Sequence, residues 1–303
     1  MPPDFDDKAR AQALALIEVA LAEDLGDRGD LTSLAVIPAD AQGSAVFVSR
    51  VDGVVAGLPV VELLAERVIS PGAFAAFIDD GCRVARGQPI ARVDGTLRSI
   101  LGFERVALNF LQHLGGIATL TARFVDAVEG TRARILDTRK TTPGLRHLQK
   151  YAVRCGGGTN HRIGLFDAIL IKDNHLAGLA EHEGESSAIA TAVARGRSIA
   201  PPGTIVEIEV DTLDQFEQAL AADPDIILVD NFGPAELREA VERRNRSGKA
   251  IALEASGGVD LTTVRALAET GVDRISIGAI THSAKALDIG LDYVSGIRES
   301  IAR

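Results

Sequence analysis

Between Arg132 and Lys172 the chain places nine lysines and arginines against two acids, Asp137 and Asp167. That segment carries +7, which leaves −17 on the remainder of a chain whose net charge is −10. One reading is a basic face in water. The sharper reading is a pocket for a small, highly anionic ligand, because the acidic remainder would repel a polyanion. Arg139 and Arg162 could each grip a carboxylate or phosphate through paired N–H donors, with Lys140 and Lys172 as point charges. His161, inside Gly156-Gly-Gly-Thr-Asn-His-Arg162, reads as a site residue beside them. Glu209 and Asp230 are hard oxygen donors that could accept from sugar hydroxyls or hold a hydrated Mg²⁺. Cys155 reads as a packed thiol. No spacing supports a Ser/His/Asp or Cys/His triad, and no Cys/His cluster suggests zinc.

Most of these groups sit where apolar runs stop. The strand-like runs are Arg134–Leu136, Ala168–Ile171, Ile205–Val210, Ile226–Val229, Ala250–Ala255 and Arg274–Ile277. Helical segments such as Asp211–Ala222, Pro234–Asn245 and Leu261–Thr270 lie between several of them. Apolar runs separated by amphipathic helices indicate a parallel sheet buried on both faces. Six such units predict an α/β barrel, incomplete at that count. A doubly wound sheet is the alternative, but no GxGxxG follows the first strand. In a barrel the C-terminal strand ends converge on one mouth. Here they carry Thr138 to Lys140, Lys172, Glu209, Asp230, Ser256-Gly257-Gly258 and Ile277-Gly278-Ala279. The two small-residue turns leave backbone N–H groups open before a helix start, which suits a phosphate.

The N-terminal third reads differently. Residues 7–25 predict an amphipathic helix with Leu14, Ile17, Leu21 and Leu25 on one face and Gly26 as its stop. The turn-rich residues 27–33 lead to β-like runs at Ala45–Ser49, Gly53–Ala56 and Arg92–Val93. Val84 to Gly95 resembles half of a lipoyl or biotinyl sandwich, but residues 45–103 hold no lysine to modify, so this is scaffold. Residues 103–114 predict a helix, with Arg105 and Asn109 off its apolar stripe.

The 303 residues suit two domains, or one barrel with an added module. A 46% hydrophobic content supports a sizeable core. The acidic balance and the absence of Trp argue against nucleic-acid binding. The longest uncharged stretch, Val106–Ala122, has 17 residues and, with Asn109, Gln112, His113 and a Gly pair, is too polar for a membrane span. The acidic N-terminus lacks a signal-like apolar core, and two cysteines make no disulfide framework. A cytoplasmic location is the expectation.

Longer motifs resemble the quinolinate phosphoribosyltransferase (decarboxylating) family, along nearly the whole chain. They are Glu23 to Asp27 with Gly29 to Ser33, Glu104 to Asn109, Gly116 to Thr119, and above all Asp137-Thr-Arg-Lys-Thr-Thr-Pro-Gly-Leu-Arg146. Lys150 to Arg162, Ile171 to His175, Glu207 to Asp211, Leu228 to Phe232, Glu254 to Gly258 and Ile275 to Gly278 continue the match. Gly115, where Ser is expected, and the longer segment 181–187 depart from it.

The resemblance implies a type II phosphoribosyltransferase: an N-terminal α/β sandwich at 1–115 and an incomplete, TIM-like α/β barrel at 116–283. A closing helix over 284–303 would pack with the first domain. It implies quinolinate and phosphoribosyl pyrophosphate as substrates, Mg²⁺ as cofactor, and a homodimer in which Arg105 enters the neighbouring site. Arg105, Arg139, His161, Arg162 and Lys172 would surround the quinolinate carboxylates. Thr138 would bind substrate and Lys140 would lie near the phosphoribosyl and pyrophosphate groups, with Lys140 and Lys172 catalytic. Glu209 and Asp230 would meet the ribose, directly or through metal. Ser256, Gly257, Gly258, Ile277, Gly278 and Ala279 would hold the 5′-phosphate. The rivals are a molybdate-transport-linked relative with another acceptor, a nicotinate phosphoribosyltransferase, and a lipoyl-like carrier.

Overall fold

The computed structural model describes residues 2–183 and 188–294, which fall into two compact units. The first gathers described residues of Met1–Ala122, Thr141–Gly157 and Ile280–Arg303; the second holds Arg123–Lys140 and Gly158–Ala279. The division expected at residue 115 thus falls a few residues later, and 141–157 joins the first unit.

In the first unit, α1 (Asp7–Leu25) starts where the Asp6 carboxylate accepts the Ala9 N–H at 2.8 Å, an N-cap. Its buried stripe is Ala9, Ala13, Ile17 and Leu21. Leu14, expected on that stripe, is exposed, because the helix turns its small alanines inward. The turn-rich segment resolves into α2 (Leu31–Val36), capped by Asp30. Then come β1 (Gln42–Ser49), β2 (Gly53–Val54), α3 (Leu58–Val68), β3 (Phe74–Ala76), β4 (Arg83–Val84) and β5 (Pro89–Thr96). Strands β1, β3 and β5 pair antiparallel, and Phe47 packs edge-on against Phe74 and Phe103 at 6.3 and 6.1 Å.

Helix α4 (Leu97–Ala127) is far longer than the expected 103–114 and runs straight through Gly115-Gly116. A Cβ on Gly115 would lie 2.9 Å from Leu287 Cδ2, so the expected Ser has no room unless Leu287 moves. After β6 (Arg134–Leu136) the chain returns to the first unit as α5 (Arg146–Cys155). Tyr151 on α5 donates its hydroxyl to the buried Asp80 at 2.7 Å.

The second unit continues with β7 (Ile169–Ile171), α6 (Asp173–Glu183), α7 (Ala188–Ile199), β8 (Val206–Val210), α8 (Leu213–Ala222) and β9 (Ile226–Asp230). It finishes with α9 (Pro234–Ser247), β10 (Ala252–Ser256), α10 (Val264–Ala268) and β11 (Arg274–Ser276). The sheet order is β6-β11-β10-β9-β8-β7, every pair parallel, and β6 and β7 are its unjoined edges. This is the incomplete α/β barrel expected. Val206, Ile208 and Val210 are buried on one face of β8, which leaves Glu207 and Glu209 to the other. The chain then passes through α11 (Ala279–His282) to β12 (Ile289–Tyr293).

The closing helix is contradicted over its described part. Ile289–Tyr293 is a strand paired antiparallel with β1, because its extended register satisfies that strand's open edge. Residues 284–288 and 294 are not helical either, and residues 295–303, like most of the 181–187 segment, lie outside the described residues.

Candidate active site

A cavity of about 380 Å³, in the size range of a small-ligand site, opens in the barrel unit. Thr138, Arg139 and Lys140 line it just beyond β6, Lys172 beyond β7, and Asp230 and Ser256 at the last positions of β9 and β10. Glu209 enters from β8, and His161 and Arg162 from the loop that precedes β7. Leu170, Leu228 and Ser276 complete the lining and were not singled out from sequence. Each lies two residues before a rim position or at a strand end, so alternation along the strands would have found them.

Gly257 and Gly258 follow Ser256 directly, both with positive φ (95° and 56°). Ile277 is buried and donates its N–H to Leu136 O at 2.9 Å, so its side chain is core, and the structure does not bring Ile277, Gly278 or Ala279 into the cavity lining. Arg105 belongs to the other unit, on α4, with Glu104 Oε1 at 3.9 Å. The basic segment also divides. Arg146, Lys150 and Arg154 lie on α5 in the first unit, which leaves Arg139, Lys140, Arg162 and Lys172 as its cavity members.

The loop carrying His161 and Arg162 is built on Asp137, a fully buried acid after β6. Its Oδ1 accepts the His161 N–H at 2.8 Å and its Oδ2 accepts Asn160 Nδ2 at 2.7 Å. Arg162 donates Nη1 to Ala168 O at 3.1 Å. Burial, and next the charge of Arg139, press the Arg162 guanidinium below its usual range. Two cations held together at this cost are relieved by an anion between them. Lys172 Nζ pairs with Glu209 Oε2.

Behind this wall lies a cluster not foreseen from sequence as a unit. His161 Nε2 faces Glu207 Oε2 at 3.2 Å and Glu254 Oε1 at 3.3 Å, and both acids are buried. Arg274 Nε donates to Glu254 Oε2 at 2.6 Å. Burial pulls the imidazole down, but hydrogen bonds to the two glutamates and their charges outweigh it and lift His161 to about 9. Burial and the charge of Glu254 push Glu207 up, whereas His161 and Arg274 hold Glu254 down against its own burial. His161 Nδ1 accepts the Arg162 N–H at 2.7 Å, so Nε2 carries the ring proton that faces the two carboxylates.

His161, Glu207 and Glu254 are close enough together to suggest a metal. The chemistry argues otherwise. A ring protonated at Nε2 cannot ligate there, and Arg274 already supplies the cation. Glu209 and Asp230 fit a hard cation better, being two carboxylates on the wall of an open cavity.

Models of the quinolinate phosphoribosyl transferase N-terminal and C-terminal domains match residues 30–115 and 117–292. The nicotinate-nucleotide pyrophosphorylase [carboxylating] of Mycobacterium leprae is 44% identical over 278 residues, covering 91% of this chain and 95% of that one. The solved nicotinate-nucleotide pyrophosphorylase of Francisella tularensis superposes with a TM-score of 0.86 at 39% identity, over 94% of this chain and 96% of that one. Human nicotinic acid phosphoribosyltransferase, at 15% identity and a TM-score of 0.61 over 87% of this chain and 72% of that one, shares the fold alone. On the two domain models and the identity to such relatives, the chain belongs to the quinolinate phosphoribosyl transferase family.

Proposed function

We infer that this chain transfers the phosphoribosyl group of phosphoribosyl pyrophosphate to the ring nitrogen of quinolinate and releases the neighbouring carboxylate as CO₂. The products are nicotinate mononucleotide and pyrophosphate, a pentosyl transfer in de novo NAD biosynthesis. One observation carries the reading: crowded guanidiniums and lysines oppose two carboxylates inside one cavity, in a chain that matches the family over both domains. The names of the relatives give no support to the molybdate-linked alternative.

Arg139, Arg162 and Lys172 take the two carboxylates of quinolinate. His161 sits behind Arg162, accepts its N–H, and acts through it. Thr138 and Lys140 face the pyrophosphate side. Glu209 and Asp230 accept from the ribose hydroxyls, and the backbone of 256–258 and 277–279 cradles the 5′-phosphate. Glu209 and Asp230 would also hold Mg²⁺, which when bound supplies charge opposite the leaving pyrophosphate. Exposed Arg105 suits a homodimer in which it reaches the neighbour's site, and two free cysteines suit the cytoplasm.

The pyridine nitrogen bonds to C1 of the ribose as the bond to pyrophosphate breaks. Charge building on the leaving group meets Lys140, and the electron-poor ribose meets Glu209 and Asp230. The nitrogen, now cationic, draws in the electron pair left at C2 when CO₂ departs, and a proton takes its place. The departing carboxylate must be held less tightly than its neighbour, because a strong grip there would favour the ground state.

The test compares acceptors. Quinolinate should be turned over, and nicotinate, which lacks the second carboxylate, should be rejected by about 10⁴-fold because it leaves cationic donors of the cavity unpaired. Equal turnover of the two would assign the cavity to the nicotinate class instead.

A further inference from the structure

Three residues separate β9 from α9, and the first of them, Asn231, adopts φ 59°, in the left-handed region. Among the described residues only Asp223 is another non-glycine with positive φ. Asn is one of the few side chains that tolerates this conformation. Asn231 uses three groups at once. Its N–H donates to Ser256 O at 2.9 Å, which joins the end of β9 to the end of β10. Its Nδ2 donates to Asp230 Oδ2 at 2.7 Å. Its Oδ1 lies against Gly257, where a Cβ would come within 2.2 Å of that oxygen and 2.8 Å of the Asn231 nitrogen.

We propose that Asn231 is the positioning residue of the phosphoribosyl half of the site: its amide fixes the Asp230 carboxylate while its backbone and Oδ1 hold the Ser256–Gly258 turn beside it. The proposal rests on the function inferred above. The strand end alone would leave Asp230 free to rotate. The amide donor selects the rotamer, and the left-handed turn brings that amide back over Asp230. Gly257 is then a glycine because Asn231 occupies the space its Cβ would need, as well as for its own φ of 95°.

Asn231→Gly separates side chain from backbone, since glycine keeps the left-handed turn and loses only the amide. Its thermal midpoint should match that of the wild type. Its affinity for phosphoribosyl pyrophosphate, by calorimetry with Mg²⁺ and no quinolinate, should fall about tenfold, the usual cost of losing a hydrogen bond to a charged group. Its KM for quinolinate should stay within about twofold. Asn231→Asp, which sets a second carboxylate against Asp230, should weaken phosphoribosyl pyrophosphate binding further. Unchanged affinity in Asn231→Gly, or an equal loss for both substrates, overturns the role of Asn231. A wild type that forms no nicotinate mononucleotide in the parallel assay overturns the function on which it rests.

Discussion

Asp80 in the first unit and Glu207 in the barrel unit are both buried acids, and their surroundings treat them in opposite ways. Both oxygens of Asp80 are matched: Oδ2 accepts from Gly57 N–H and Tyr151 Oη at 2.7 Å each, and Oδ1 accepts from Leu58 N–H at 3.1 Å. It closes the start of α3, a structural task, although burial still pushes its carboxyl up. In the barrel unit Glu207 is as deeply buried, yet its Oε1 meets no donor among the described residues. Its other oxygen shares His161 with a second acid. An acid with both oxygens matched stabilises a fold. Acids left short of donors beside a cationic cavity hold charge in readiness for chemistry.

The comparison is broken or sharpened first at the cavity. Arg139→Ala should lower kcat/KM by about 10²–10³, near 3 kcal/mol of transition-state stabilisation, with no loss of thermal stability. A variant with near-normal turnover would show that the cavity cations do no catalysis. Asp80→Asn should do the reverse. It turns one acceptor into a donor facing donors and should cost about 2 kcal/mol in denaturant unfolding. Its kcat/KM should be unchanged while the protein is folded, and a selective loss of activity would erase the contrast between the units.

The smallest effect is in pH. His161 is lifted from the ordinary 6.5 to about 9. A raised basic group stabilises fully below its unfolded pKa and loses that contribution as pH climbs through its folded value. The unfolding free energy should therefore slope downward between about pH 6.5 and pH 9 by no more than one proton's worth, about 1.4 kcal/mol per pH unit. His161→Gln should flatten the slope, and an identical slope in that variant would detach the proton from the cluster.

Much of the barrel was legible because its strands are short apolar runs ending in charge. Ile226–Asp230 and Arg274–Ser276 lie within a residue of the expected runs, and nine of the residues expected from the strand ends and the His161 loop line one cavity, whereas Gly257, Gly258 and 277–279 do not. The Glu207–His161–Glu254 cluster was not legible, although the Val-Glu-Ile-Glu-Val alternation of β8 hints at an inward acid below the rim. Its assembly depends on sheet register and on a loop turned by Asp137. The first unit was harder. Helix α4 crosses a Gly-Gly pair that reads locally as a break, and a Cβ on Gly116 would meet Lys285 O at 2.2 Å, so close packing selects the glycine. Strand β12 takes its form from the edge of β1, a partner hundreds of residues away in sequence.

The most direct test follows both products at once. With quinolinate, phosphoribosyl pyrophosphate and Mg²⁺, the protein should release CO₂ and nicotinate mononucleotide in equal amounts, because decarboxylation waits on the cationic ring nitrogen. Folded protein that yields neither product, or CO₂ without the nucleotide, would contradict that account.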